Sequence, residues 1–114
     1  METKTTKTTT LRGMATPWGQ AQTSGEVAPG ILHVTTAGHG GYRVSPELQL
    51  LIPAGLRTHN RWYEEDCEWA IVATYCPGFL AVIDDAGRRA MAAECAKGTM
   101  ERHYASGTRG HDYH

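Results

Sequence analysis

Apolar and polar positions alternate differently in the two halves of the chain, and the first half predicts a β-hairpin. Residues 31–36 are apolar and β-branched, which is typical of a strand, and residues 42–44 are its expected partner. The connection, residues 37–41, carries three glycines around His39, so the backbone can make a tight turn there. The pattern therefore predicts a hairpin over residues 31–44.

The second half has apolar residues at helical spacing and predicts two longer helices. A central helix is expected over about residues 62–76, ended by the Pro-Gly pair at 77–78. A second helix is expected over about residues 85–97, with Gly98 as its C-terminal stop. The fold class that follows is α+β, a small antiparallel sheet packed on these helices.

Capping residues mark the starts of two helices. Ser45 precedes Pro46, a residue favoured in the first helical turn, so a short helix is expected over residues 47–51. Asp84 or Asp85 is the expected cap of the later helix, because a carboxylate there can accept a free backbone N–H.

The segment between Trp62 and Trp69 is the most unusual in the chain, because it holds four carboxylates between two large aromatics. On the predicted helix Trp62, Asp66 and Trp69 share one face, so Asp66 is expected to be buried. A buried carboxylate needs a hydrogen-bonding partner, which marks the segment as a site. Glu64 and Glu65 would lie in the first helical turn, where a purely structural role with the macrodipole is the favoured interpretation.

Composition predicts one compact domain with polar ends. Residues 1–14 are threonine-rich and expected to be a flexible tail, residues 15–100 to form the α+β domain, and residues 101–114 to be a polar tail. The first ten residues hold six Thr and two Lys with no apolar run, so neither a signal peptide nor a membrane span is expected.

Charge bears on the class of partner that is expected, and cysteine content bears on the cellular location. Lys and Arg number 11 against 12 Asp and Glu, a net charge of −1, so direct nucleic-acid binding is not expected. The 3 cysteines form no paired motif, which favours reduced thiols and a cytoplasmic location. Cys67 and Cys76 are expected to be buried. Nearby carboxylates would raise the pKa of Cys67 and suppress a nucleophilic thiolate.

His39 is the candidate for acid/base chemistry, because imidazole titrates near neutral pH and the flanking glycines let a substrate approach. Glu65 or Asp66 would orient it. An incidental surface histidine explains the same residues. A metal site built from His39, His59 and Asp66 has no supporting ligand spacing, so no metal and no cofactor is expected.

Aromatic side chains are the candidates for protein binding, because Trp and Tyr dominate binding energy where they are exposed. Trp18 is expected to anchor its segment on the domain, and Trp69 to be a core residue. Trp62 and Tyr63, nearer the preceding loop, are expected at the surface. The predicted binding residues are Trp18, His39, Tyr42, Trp62, Tyr63, Glu64, Glu65 and Glu68.

Three motifs carry a resemblance to a known group of domains: TPWG at residues 16–19, TAGHGGY at 36–42 and WYEEDCEWA at 62–70. Together they resemble a family of uncharacterised domains carried by bacterial phages and plasmids, over roughly residues 15–80. The resemblance implies a small cytoplasmic accessory protein of a mobile element, of the kind that disables a host defence complex as anti-CRISPR and antirestriction proteins do.

The function expected from the sequence is therefore binding to a host protein or defence complex, with no membrane partner. The alternative is a small enzyme that uses His39 as acid/base with Glu65 or Asp66. Whether the chain is an enzyme stays open at this point, with protein binding favoured.

Overall fold

The computed structural model describes residues 14–108, which have an α+β fold of two antiparallel sheets and three α-helices. In chain order the elements are β1 (Ala15–Thr16), β2 (Gly19–Gln20), β3 (Thr23–Ala28), β4 (Ile31–Thr35), β5 (Gly40–Val44), α1 (Pro46–Gln49), a 3₁₀ turn (Ala54–Leu56), β6 (Trp62–Glu64), α2 (Trp69–Tyr75) and α3 (Ala86–His103). β1 pairs with β2, and the larger sheet has the order β3-β4-β5-β6.

The predicted hairpin is confirmed as β4 and β5. Ile31 pairs with Val44 and Thr35 with Gly40, so the connecting loop is residues 36–39, shorter than expected, and Gly40 and Gly41 belong to β5. β3 adds to one side of this hairpin through the turn at residues 29–30, where Gly30 has φ of +82°. A β-branched residue would be strained in that conformation.

The prediction of a helix over residues 62–76 is wrong in its first half. Trp62–Glu64 form the fourth strand, in which Tyr63 pairs with Tyr42 and Trp62 with Arg43. Four residues of turn follow, and α2 begins only at Trp69. The aromatic residues fit a strand as well as a helix, and pairing with β5 decided between them.

Asp66 is exposed, so its predicted burial is also wrong. The expectation depended on a helix that places Asp66 on the same face as Trp62 and Trp69. Because residues 65–68 form a turn, the Asp66 side chain points away from that face and needs no buried partner.

The later helix is longer than predicted. α3 passes through Gly98 and ends at His103, so Gly98 is not its stop. Gly98 is absent from the glycines with positive φ, which shows that it keeps the backbone conformation of its helix. Tyr104, at the C-cap, is 3% exposed and belongs to the core.

The two predicted helix caps are confirmed. The Ser45 side chain accepts a hydrogen bond from the Leu48 N–H, with Pro46 as the first residue of α1. The Asp85 side chain accepts from the Arg88 N–H at the start of α3.

The main core lies between one face of the larger sheet and α2. Alternate residues of a strand point to the same face, so Ile31, Val44 and Tyr63 face the helix together. They pack with Ile71 and Val72 of α2. The buried members of this cluster are Ala28, Ile31, Val44, Ile52, Leu56, Tyr63, Ile71, Val72, Cys76 and Tyr104.

A smaller cluster joins α3 to α2. Ala70, Ala73 and Ala96 are buried there, and Trp69 packs against them, so its assignment to the core is confirmed. Of the 18 residues of α3, those buried are Ala96 and Thr99. The first half of this helix therefore extends along the outside of the molecule.

The predicted N-terminal tail lies almost wholly outside the described residues, as do residues 109–114 of the predicted C-terminal tail. Among the helices that the structure describes, none combines the length and apolar character needed to cross a membrane.

Candidate binding surface

Trp18 is presented by a tight turn between β1 and β2. The Thr16 hydroxyl accepts the Trp18 N–H at 3.1 Å and donates to the Gly19 carbonyl at 2.7 Å. Gly19 has φ of +124°, a conformation that L side chains rarely adopt. The TPWG motif therefore encodes a turn that holds one tryptophan in a fixed position.

Trp18 packs on the outer face of the larger sheet, the face turned away from α2. Its ring lies so close to Gly41 that a Cβ on Gly41 would overlap it. The same ring meets Trp62 edge-to-face at a centroid distance of 5.6 Å. The expectation that Trp18 anchors its segment on the domain is confirmed, and Gly41 explains why: the missing side chain leaves the space that the indole fills.

Arg43 and Trp62 are cross-strand neighbours on this outer face. The Arg43 guanidinium carbon lies 5.5 Å from the centre of the Trp62 ring, a cation–π arrangement. Trp18, Trp62 and Arg43 therefore form a continuous row of large side chains. All three are half-buried, so part of each is available to another molecule.

Arg61 extends this row and has an unusual backbone. Its φ is +67°, and among residues 14–108 it is the only residue other than glycine with a positive φ. The strand-like pairing with Val44 holds it: the Val44 N–H donates to the Arg61 carbonyl at 3.0 Å, and Arg61 Nη1 donates to the Val44 carbonyl at 2.7 Å. Such a conformation persists only where its surroundings enforce it, which is frequent at binding sites. We call Trp18, Arg43, Arg61 and Trp62 the tryptophan–arginine face.

Two depressions lie beside this face. The arginine groove, about 320 Å³ in volume, is lined by Glu26, Gly30, Ile31, Leu32, Arg43, Val44, Ser45, Pro46 and Arg61. The tryptophan pocket, about 130 Å³, is lined by Pro17, Trp18, Thr58, His59, Asn60, Trp62 and Glu68. The segment 59–62 contributes to both: Arg61 lines the groove, and His59, Asn60 and Trp62 line the pocket.

The carboxylates of Glu64 and Glu68 accept backbone hydrogen bonds in and beside the turn before α2. Glu64 Oε1 accepts the N–H groups of Cys67 at 2.5 Å and Glu68 at 2.8 Å, and Oε2 accepts that of Asp66 at 2.9 Å. Glu68 Oε1 in turn accepts the Glu64 N–H at 3.0 Å. This reciprocal arrangement resembles a capping box. The macrodipole role expected for Glu64 in a first helical turn is therefore wrong, because Glu64 ends β6 and its carboxylate binds the N–H groups of the following turn.

Tyr63 and Glu68 are not surface residues, so their predicted place on a binding surface is wrong. Tyr63 is 0% exposed and Glu68 is 7% exposed. Successive strand residues point to opposite faces, so burying Tyr63 against α2 puts its neighbour Trp62 on the outer face. The sequence placed both on the surface because it assigned them to a helix, Tyr63 near its start and Glu68 on the side opposite Trp62 and Trp69.

Glu65 lies against Gly40, the residue that follows His39 in the chain. His39 is exposed in its loop, where Thr36 binds its backbone through the His39 carbonyl and N–H. The Glu65 N–H donates to the Gly40 carbonyl at 3.0 Å, and Glu65 Oε1 lies 2.8 Å from where a Gly40 Cβ would be. Asp66 is exposed nearby in the chain, with its N–H bound to Glu64.

His33 and Tyr42, by contrast, sit on the sheet face that packs on the helices. Their rings are 4.9 Å apart, and Tyr42 also meets Phe79 edge-to-face at 5.1 Å. Burial lowers the pKa of His33, against the opposing influence of Glu65, and burial together with Glu65 raises the pKa of Tyr42. Tyr42 is thus a half-buried packing residue on the face opposite Trp62.

The cysteines match the prediction in part. Cys76 is buried, whereas Cys67 is half-buried and Cys95 exposed. The pKa of Cys67 is raised first by burial and then by Glu64, Asp66 and Glu68, which is the expected direction. An elevated pKa leaves little thiolate and argues against Cys67 as a nucleophile.

His39, His59 and Asp66 do not form a metal site in this fold. Across the described part of the chain, no three His, Cys, Asp or Glu side chains are arranged to hold an ion. His59 lines the tryptophan pocket, whereas His39 lies in the loop between β4 and β5.

Arg43 and Arg61 are the residues of this surface that the sequence did not indicate. Each stands beside an aromatic residue in the chain, Tyr42 and Trp62 respectively, which is a weak signal. Their convergence depends on the register of β5 and β6, and a one-residue shift would place Arg43 and Trp62 on opposite faces.

The comparisons with known proteins bear on the whole of this domain. The family described as Domain of unknown function (DUF7007) matches residues 11–110 of the chain. No curated protein and no solved structure gives a significant match.

Proposed function

Since the chain belongs to the DUF7007 family, whose function is unknown, we propose a function from its own surface: it is a protein-binding module that uses the tryptophan–arginine face. The observation that carries this proposal is the row of Trp18, Trp62 and Arg43, half-buried and beside two depressions. Trp and Arg are the residue types most enriched among the residues that dominate binding energy at interfaces.

The rigidity of this face supports the same proposal. Trp18 is fixed by its turn and by Gly41, and Trp62 by its strand. Side chains that are already ordered before binding lose less conformational entropy when a partner arrives. A surface built this way favours a specific complex.

The partner that we propose is a host protein or defence complex, and the chain is then an accessory protein of a phage or plasmid. The support is the resemblance of its three motifs, of which TPWG supplies Trp18 and WYEEDCEWA supplies Trp62. An inhibitor of anti-CRISPR or antirestriction type acts by this kind of binding.

The test is capture of the partner from host lysate by the tagged protein, with mass spectrometry, and comparison with Trp18→Ala and Trp62→Ala. A stoichiometric partner that both variants lose is the expected result. Met91→Ala, at a side chain 67% exposed on α3, is the matched control and should keep the partner. Circular dichroism and urea unfolding verify that each variant is folded. Absence of any partner, or its retention by both tryptophan variants, would contradict the proposal.

Acid/base catalysis is the second candidate function, and one observation favours it: the Glu65 carboxylate lies against Gly40, the residue after His39. In this alternative His39 moves the proton, and Glu65 or Asp66 orients the imidazole. His39→Gln distinguishes the two candidates. If the variant folds and keeps its partner but loses the biological effect on the host, the result favours catalysis, whereas full retention of the effect favours binding alone.

A further inference from the structure

The arginine groove brings together two positive charges that no carboxylate within residues 14–108 pairs with. Neither Arg43 nor Arg61 forms an ion pair within residues 14–108: Arg43 contacts the Trp62 ring and Arg61 contacts the Val44 carbonyl. Guanidinium groups bind carboxylates through paired hydrogen bonds. The groove therefore has the chemistry of a site for an anion.

We propose that the arginine groove binds an acidic side chain, Asp or Glu, of the protein partner, an inference that rests on the protein-binding function proposed above. Arg61 Nη1 is already bound to Val44, so its remaining guanidinium N–H groups are the donors, together with those of Arg43. Leu32 lies beside Arg43 on the same face and lines the groove, which provides an apolar contact for the methylene stem of the acid.

Glu26 sets a limit on the size of the anionic segment. It pairs with Leu32, which pairs with Arg43, so Glu26 and Arg43 are two strands apart on one face. That spacing is roughly 10 Å. The Glu26 carboxylate accepts the Gly30 N–H at 3.0 Å and forms the far wall of the groove. It repels a second negative charge, so the groove suits one acid at the Arg43 end.

The same charges disfavour a nucleic acid in this groove. A phosphate backbone needs a row of cations, whereas the groove offers two arginines and one opposing carboxylate. The chain as a whole carries a net charge of −1. An acidic peptide requires only local complementarity and is therefore the occupant that fits the groove.

The experiment measures fluorescence anisotropy of a labelled, end-blocked hexaglutamate peptide with the full chain at low ionic strength. Saturable binding is expected, weakened roughly tenfold or more by Arg43→Gln and by Arg61→Gln. Glu26→Gln should strengthen binding, since it removes the repelling charge. Arg88→Gln makes the same charge change on the exposed first turn of α3 and should leave binding unaltered.

Several outcomes would overturn the inference. One is binding of hexaglutamate by both the Arg43→Gln and the Arg61→Gln variant that is as tight as binding by the wild type. Another is tighter binding of a single-stranded oligothymidylate or of hexalysine than of hexaglutamate. A third is competition by inorganic phosphate as strong as competition by unlabelled glutamate peptide. Circular dichroism confirms folding, and Arg43→Gln provides an answer even if Arg61→Gln unfolds, since Arg61 also binds Val44. Loss of the lysate partner on Trp62→Ala without any hexaglutamate binding would reject this inference alone. The reverse pattern would reject the proposed function and leave the anion site standing.

Discussion

The Tyr63 hydroxyl links the loop before β6 to α1. It accepts the Thr58 N–H at 3.1 Å and donates to Gln49 Oε1 at 2.6 Å, while Gln49 Nε2 donates to the Thr58 carbonyl at 2.5 Å. These bonds fix the loop that precedes the strand carrying Trp62. The residue therefore affects the binding surface without being part of it.

Tyr63→Phe should destabilise the domain by about 1–3 kcal/mol, because it leaves the Thr58 N–H and the side-chain amide oxygen of Gln49 without the Tyr63 hydroxyl as partner. Urea unfolding followed by tryptophan fluorescence measures the change. Tyr75→Phe is the control, because its hydroxyl has no hydrogen bond among residues 14–108, and it should change stability little. Equal stability of Tyr63→Phe and wild type would show that the network contributes nothing.

Cys76 gives the domain a pH dependence in the alkaline range. Burial raises the pKa of its thiol from an ordinary 9.0 to about 11. The folded state therefore holds the proton more tightly than the unfolded state. This contribution to stability is complete below about pH 9 and is lost as pH rises toward 11.

Between about pH 9 and 11 the free energy of unfolding should fall more steeply with pH for the wild type than for Cys76→Ala. The two slopes should differ by at most about 1.4 kcal/mol per pH unit. Urea unfolding at steps across the window gives both slopes, and the comparison cancels the titration of other groups. Cys95→Ala, at an exposed cysteine, should keep the wild-type slope. Parallel curves for wild type and Cys76→Ala would refute the assignment.

At the scale of elements, the turn between β6 and α2 depends on a single carboxylate. Glu64 accepts three backbone N–H groups of residues 66–68 and so joins the end of the strand to the start of the helix. The acidic character of this segment is therefore partly a folding signal.

Glu64→Ala should lower the free energy of unfolding by about 1–2 kcal/mol, as for the loss of a helix cap. Thermal unfolding measures it. Asp66→Ala is the matched control, because it removes an exposed carboxylate two residues away. The backbone N–H of residue 66, which donates to Glu64, is kept in this variant. A loss as large for Asp66→Ala as for Glu64→Ala would mean that charge, and not the hydrogen bonds, determines the stability.

At the scale of the whole molecule, stability is concentrated in the larger sheet and α2. Their facing residues form the main core, whereas the buried residues of α3 are Ala96 and Thr99 in its second half. Regions with few buried apolar contacts open with a smaller free energy than the core.

Amide hydrogen exchange should therefore be slow in β4, β5 and α2 and faster in residues 86–95 of α3. Mass spectrometry of proteolytic fragments resolves these segments, and residues 96–103 of the same helix serve as the internal reference. Uniform protection along α3 would contradict the expectation and indicate that its first half is covered in solution.

The elements that could be predicted correctly are those whose signals are local in the chain. The hairpin over residues 31–44 and the Ser45 and Asp85 caps depend on residues close in the chain, and the structure bears them out. The α+β class follows from these elements. Local signals suffice there because the hydrogen bonds and φ values involved span only a few residues.

Which side chains share a surface could not be predicted, because it depends on contacts between distant segments. Residues 62–64 satisfy strand and helix patterns alike, and pairing with β5 selected the strand, which buried Tyr63 and put Trp62 on the outer face beside Arg43. The contact of Trp18 with Gly41 joins two separate sheets, and the convergence of Arg43 with Arg61 depends on how β5 pairs with β6. Because side chains alternate faces along a strand, that register cannot be obtained from one segment alone.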